Sequence, residues 1–174
     1  MNIRSRSLAA LVLLVLNTHA QAVTALGEIN IELYGNIVDF TCVAEGSDSN
    51  KTVTLGTWPT KQLSTAGSRT QPAPFTLKLT GCPPGSASIT FSGKADGSDN
   101  SLLALNDAST ARNVAVEISD RDKTRLALQQ ASQAVAVDAG GNAELSFYAN
   151  YIATADNPQP GSADADATFM INYN

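Results

Sequence analysis

Phe75-Thr76-Leu77-Lys78-Leu79-Thr80-Gly81-Cys82 alternates apolar and polar side chains with a period of two and ends on a glycine and a cysteine. A period of two puts successive side chains on opposite faces of an extended chain, so this stretch reads as a strand with one face buried. The same rhythm recurs along the chain. Ala87, Ile89 and Phe91 alternate with Ser88, Thr90 and Ser92. Val114, Val116 and Ile118 alternate with Ala115, Glu117 and Ser119. Leu145, Phe147, Ala149 and Tyr151 alternate with Ser146, Tyr148 and Asn150, and Ala167, Phe169, Ile171 and Tyr173 with Thr168, Met170 and Asn172. Each such strand is expected to bury one face and wet the other.

Between these runs stand turn-forming clusters: Pro83-Pro84-Gly85, Asp96-Gly97-Ser98-Asp99-Asn100, Asp120-Arg121-Asp122-Lys123, Ala139-Gly140-Gly141-Asn142 and Asn157-Pro158-Gln159-Pro160-Gly161. Helical periodicity is weak throughout. Many short strands separated by such turns predict an all-β sandwich, immunoglobulin-like in architecture.

The first 22 residues read as a secretory signal. Arg4 and Arg6 supply the positive start, Leu8–Leu16 an unbroken apolar run, and Ala20-Gln21-Ala22 a small-x-small cleavage site. Nine apolar residues fall short of the roughly 20 needed to span a bilayer, which weighs against a membrane anchor. Removing residues 1–22 takes away two arginines and His19, the only histidine. Nine basic residues remain against sixteen acidic ones, a net charge of −7. A chain this acidic, without a basic cluster, is a poor match for nucleic acid. Cys42 and Cys82 are the only cysteines. Export carries them into an oxidising compartment, where a disulfide is expected and only one intramolecular pairing exists. It would close a loop of about 41 residues, worth roughly 4 kcal/mol in the loop-entropy model.

Catalytic constellations are missing. Without histidine the exported chain cannot build a Ser-His-Asp or Cys-His site. It carries neither phosphate-cradling glycine motif, so no cofactor is expected. Asp120 and Asp122 read as solvated turn residues rather than an acid/base pair. Asp96–Asn100 lacks calcium-loop spacing, so no metal is assigned. Trp58, the single tryptophan, reads as a packing residue rather than a sugar platform. Function is therefore expected in surfaces and strand edges.

Both ends of the exported chain are unusual. Residues 23–34 form a strand-like stretch ahead of the first cysteine, and its alternation continues through Gly27, Ile29, Ile31, Leu33 and Gly35. A long apolar face with a side chain missing at a glycine suits insertion into a groove, because the partner's wall can approach there. An ordinary first strand packed on its own domain is the alternative. The sequence closes on the apolar row Phe169, Ile171 and Tyr173 with Asn174 last. A terminal strand this apolar requires a partner on its edge or a place inside its own sheet.

These features together resemble the pilin subunits of the chaperone–usher pathway, closest to the type 1 fimbrial family and its minor, tip-fibrillum-like members. Four features carry the resemblance across the exported chain. Gly35 precedes Cys42 by seven residues, and the second cysteine follows the alternating strand quoted above. Leu145–Thr154 looks like the family's aromatic-rich strand. Tyr173 is penultimate and Gly161 stands fourteenth from the end. The resemblance implies an immunoglobulin-like sandwich lacking its last strand, with a hydrophobic groove beside the C-terminal strand. It implies a periplasmic pilus chaperone that lends a strand, and an outer-membrane usher where a neighbouring pilus subunit's N-terminal extension replaces it. On that basis 1–22 is the signal, 23–34 the donor extension and 35–174 the pilin domain. Ile29, Ile31, Leu33 and Ile37 are candidate donor side chains, with Gly35 the close-approach position. Gly161, Phe169, Ile171, Tyr173 and Asn174 match the chaperone-recognition strand, and Cys42 and Cys82 the family disulfide. The protein is expected in an extracellular fimbrium on the bacterial surface, reached through the periplasm and supporting cell adhesion. A receptor-binding adhesin module at the pilus tip is the competing reading. The exported chain is about one domain in size, which leaves little room for a separate lectin domain. A secreted enzyme is a third reading, disfavoured by the missing histidine and motifs.

Overall fold

The computed structural model describes residues 42–174, which lie in the compact unit Val38–Asn174. Eight strands follow in order: β1 (Val43–Ala44), β2 (Ala73–Thr80), β3 (Ser86–Gly93), β4 (Leu103–Ala104), β5 (Val114–Ser119), β6 (Val135–Ala136), β7 (Ala143–Ala153) and β8 (Ala167–Tyr173). One short 3-10 turn, Thr60–Leu63, precedes β2, and there is no α-helix among the described residues. The strands form two sheets, a five-stranded one in the order β1-β2-β7-β5-β4 and a three-stranded one in the order β6-β3-β8. Every pairing between named strands is antiparallel.

Alternation places the core where the sequence predicts it. Leu77 and Leu79 of β2, Ile89 and Phe91 of β3, and Leu145 and Phe147 of β7 are all buried in one cluster. Four phenylalanines join the sheets. Phe147 lies 5.5 Å from Phe75 and 5.1 Å, edge to face, from Phe91, which in turn meets Phe169 of β8 at 6.5 Å. Such offset contacts add about 0.5–1.5 kcal/mol per pair beyond buried area. Cys42 and Cys82 are bonded to each other, with S–S at 2.01 Å, and tie the start of β1 to the chain just past β2.

The expectation that each strand wets its second face fails at β3, where Ser88 and Thr90 are buried, and most fully at β5. Val116 and Ile118 enter the core, but Ala115, Glu117 and Ser119 on the opposite face are buried as well. That face is covered because Arg69 bridges to Ile152, Arg125 bridges to Ser119, and Leu102 packs with Ala115 and Ile152. The solvated reading of the turn at Asp120 is also corrected. Asp122 is exposed, but Asp120 is only 5% exposed. Its carboxylate accepts from the Arg121 backbone N–H at 2.8 Å and the Gln133 N–H at 2.6 Å, so it fastens two loops instead of meeting water.

Candidate functional site

Two sheets have four edge strands, and here they are unequal. β1, β4 and β6 are two residues long, whereas β8 has seven. Natural sheets blunt their edges with short strands, charges or prolines, since an open ladder of N–H and C=O groups is a template for another chain. β8 reads Ala-Thr-Phe-Met-Ile-Asn-Tyr and carries none of these devices. It pairs with β3 along one edge, and no other described strand pairs with it.

Register explains its side chains. Phe169 lies opposite Phe91, Ile171 opposite Ile89, and Tyr173 opposite Ala87. Phe169 and Ile171 pack on the core but stay only half-buried. Tyr173 is 51% exposed and Met170 58% exposed. Elsewhere the core has a second partly covered flank. Val53 and Leu55 pack against it from a stretch outside any named strand, while Thr52, Thr54 and Gly56 between them are exposed. That is strand-like alternation without a described partner. Trp58 closes the stretch half-buried and donates its indole N–H to the Leu55 carbonyl at 2.6 Å, a packing role.

The structure brings together part of the recognition set. Phe169, Ile171 and Tyr173 share β8, and Asn174 continues the ladder by exchanging backbone hydrogen bonds of 2.9 Å each with Ser86. Gly85 permits this: its φ is +142°, and a Cβ there would collide with the Asn174 carbonyl. Gly161 stands apart from β8, in the segment that leads into it. There the chain runs against Thr110 and Ala111 so closely that a Cβ would clash with their backbone. The segment is further held by the Tyr151 phenol, which donates to the Ala163 carbonyl at 2.7 Å. Burial, aided by the Asp164 charge, raises that phenol's pKa. The signal (1–22), the extension (23–34) and Ile29, Ile31, Leu33, Gly35 and Ile37 lie outside the described residues.

Sequence reasoning missed an ion cluster on the outer face of the five-stranded sheet. Glu117, whose side chain is 4% exposed, accepts from Arg69 at 2.6 and 3.1 Å, from Arg125 at 2.6 Å and from Asn150 at 3.2 Å. Burial works to raise the Glu117 pKa, but these hydrogen bonds outweigh it and hold it below its ordinary value. The sole signal was an acidic residue inside a strong strand, which the period-two reading assigned to solvent.

Residues 31–174 match the family model described as Fimbrial protein. The fimbrial-like protein FimF of Salmonella typhimurium is 63% identical over 155 residues, covering 89% of this chain and 90% of that protein. A fimbrial subunit type 1 from Salmonella typhimurium is 36% identical, covering 84% of this chain and 82% of its own. Among solved structures, a Burkholderia pseudomallei antigen and type I fimbria protein matches with a TM-score of 0.60 and 27% identity, over 78% of this chain and 91% of that one. The P pilus rod subunit PapA matches with a TM-score of 0.61 at 16% identity, over 76% and 99%, a likeness of fold alone. The described sandwich is thus the immunoglobulin-like fold of pilus subunits.

Proposed function

We propose, from the premise that this chain belongs to the fimbrial protein family, that it polymerises by donor-strand exchange. Family membership makes it a structural subunit of extracellular fimbriae, exported through the periplasm. The finer reading is that a periplasmic chaperone first lends a strand to the free edge of β8. At the outer-membrane usher, the extension of a neighbouring subunit then takes its place, and the fibre supports cell adhesion. Addition of a strand to an exposed edge is β-augmentation, for which pilin strand donation is a standing example.

One observation carries the proposal: β8 is a long, uncharged, apolar edge strand in a fold whose other edges are two residues long. An incoming strand would complete its ladder and cover Phe169 and Ile171, which are half-buried in its absence. In this reading 1–22 is removed as the signal, the extension 23–34 is donated onward together with the adjoining residues through Ile37, and the remainder of the pilin domain 35–174 receives. Ile29, Ile31, Leu33 and Ile37 of the donor fill the neighbour's groove while Gly35 admits a close wall. Full burial of each side chain contributes about 1.5–3 kcal/mol, so the four together contribute roughly 6–12 kcal/mol before ordering costs. That rivals the whole stability of a typical domain, about 5–15 kcal/mol, which makes an uncomplemented subunit marginal and a complemented one durable.

The test is to express residues 35–174 in a bacterial periplasm with a cognate chaperone, then add a synthetic peptide spanning 23–38. Release of the chaperone with a large rise in melting temperature is expected. A truncated chain that folds as a monomer without chaperone and ignores the peptide would mean a complete sandwich and end the proposal.

A further inference from the structure

The outer face of the five-stranded sheet carries a cleft of about 240 Å³, bounded by Arg69, Pro72, Glu117, Lys123, Arg125 and Tyr148. We propose that this cleft is a binding site for a carboxylate-bearing hexose, a uronic acid. The inference is independent of strand exchange, since it uses another sheet and other residues.

Charge is the first argument. Arg69, Lys123 and Arg125 gather three cations against Glu117 and Asp99, an excess of one positive charge on a chain whose residues after 22 sum to −7. Glu117 lowers the net charge of the cleft but offers a ligand no free acceptor. Its two oxygens accept four hydrogen bonds, which fills its capacity. Arg125 also donates to Asp99 at 2.7 Å and to Ser101 at 3.2 Å. Lys123 makes no ion pair among the described residues; its ammonium sits 5.3 Å from the centre of the Tyr148 ring.

Preorganisation is the second. A buried carboxylate shared by two guanidiniums is a poor device for stability alone, because apolar packing of the same volume serves as well or better. What it does well is fix planar donor groups, which lowers the ordering cost of recognising a carboxylate. Arg69 keeps half of its side chain exposed and Arg125 about a third, so both are held yet reachable.

The walls argue for a sugar over a bare anion. Pro72 and the half-buried Tyr148 line the cleft, and the Tyr148 hydroxyl makes no hydrogen bond among the described residues. An inorganic anion could accept from the phenol but would leave the apolar surface of Pro72 and Tyr148 uncovered. A ring bearing hydroxyls and one carboxylate uses the apolar surface, the phenol and the cations together. The volume suits one sugar ring, smaller than the roughly 300–1,000 Å³ of drug-sized pockets.

The test titrates glucuronate, glucose and N-acetylaspartate amide into the full exported chain, purified with its chaperone so that the subunit is folded, by calorimetry or NMR; the chaperone alone is the blank. Saturable millimolar binding of glucuronate is expected, at least about tenfold tighter than glucose and weakening with salt. Lys123 has φ of +64°, so Lys123→Asn removes the charge with a residue that tolerates this conformation. It should weaken glucuronate about fivefold while leaving the melting temperature unchanged, and Tyr148→Phe should weaken it with the fold intact. The proposal is overturned by absence of saturable glucuronate binding, by equal affinity for glucose, or by indifference to both variants. Equal or tighter binding of N-acetylaspartate amide would also overturn it, and would assign the cleft to a protein carboxylate.

Discussion

Replacing Gly161 with alanine isolates the close approach that delivers the chain to β8. Gly161 is not among the glycines of positive φ, so its backbone conformation is open to alanine and any effect is steric. An added Cβ would overlap the Ala111 nitrogen and Thr110 Oγ1 and lie 2.7 Å from the Thr110 carbonyl carbon. Two of these three atoms are backbone, so a rotamer change cannot clear the space. The strands of chain must part instead. The bonds at risk are Thr110 N–H to Ser162 O at 3.1 Å, Ala111 N–H to Ser162 O at 3.0 Å, and the Arg112–Gln159 exchange at 3.0 and 3.3 Å. Losing two or three at about 1 kcal/mol each costs roughly 2–3 kcal/mol. At about 2–4 °C per kcal/mol, that lowers the melting temperature by about 5–10 °C. Thermal unfolding followed by circular dichroism, with the disulfide intact, measures it. Gly97→Ala is the control, because a Cβ there meets nothing within 4 Å. If Gly161→Ala and Gly97→Ala melt within about 1 °C of each other and of wild type, the steric account of Gly161 is wrong.

Three further expectations follow from the same coordinates. Cys42→Ser with Cys82→Ser removes the link at Cys42–Cys82 and should lower stability by roughly 4 kcal/mol on the loop-entropy model, read as the shift in denaturant midpoint at unchanged slope; no shift would show that the bridge is idle. The Glu117 carboxyl is held below its ordinary 4.5 by its hydrogen bonds, so its stabilisation should be complete above that value and disappear as pH falls through the depressed one. Melting temperature should therefore be flat in neutral solution and drop in acid, and Glu117→Gln should lose about 2 kcal/mol at neutral pH, less than the roughly 3–5 kcal/mol of a fully buried pair because both arginines are partly solvated. A mutant with the wild-type acid profile would clear Glu117 of that role. Met170→Lys, which puts a charge on the exposed side of β8 along its free edge, should sharply reduce fibre growth measured by electron microscopy while the far-ultraviolet spectrum stays native; normal fibres would remove β8 from the assembly surface.

The sequence made the long strands legible and the short ones not. β2, β3, β5, β7 and β8 each span six or more residues of period-two alternation, and all five lie where the pattern places them. β1, β4 and β6 have two residues each, too few to show a period. Glu117 shows the other limit. Alternation tells which residues share a face but not what the loops will lay over it, and Arg69 and Arg125 come from 48 and 8 residues away to cover Glu117. Gly161 is intermediate. Its identity could be noticed in the sequence, but its reason, contact with a backbone some 50 residues earlier, belongs to tertiary structure.

That contrast bears on why β8 is apolar on both counts that matter, its inward row and its open edge. An edge strand in a self-sufficient sandwich has an inexpensive remedy in a lysine, a proline or early termination. This fold applies the last of these at β1, β4 and β6. At β8 it does the opposite, keeping Phe169 and Ile171 half-buried and Met170 and Tyr173 exposed over seven residues. An unremedied edge risks nonspecific pairing, and the strand exchange proposed above would remove that risk by seating one particular strand there. The turn glycine Gly85 and the close packing at Gly161 hold the two ends of the segment containing β8, so that its edge is already set when a partner arrives. A preset edge leaves the ordering cost to the incoming chain alone, which favours a tight and slowly reversed union.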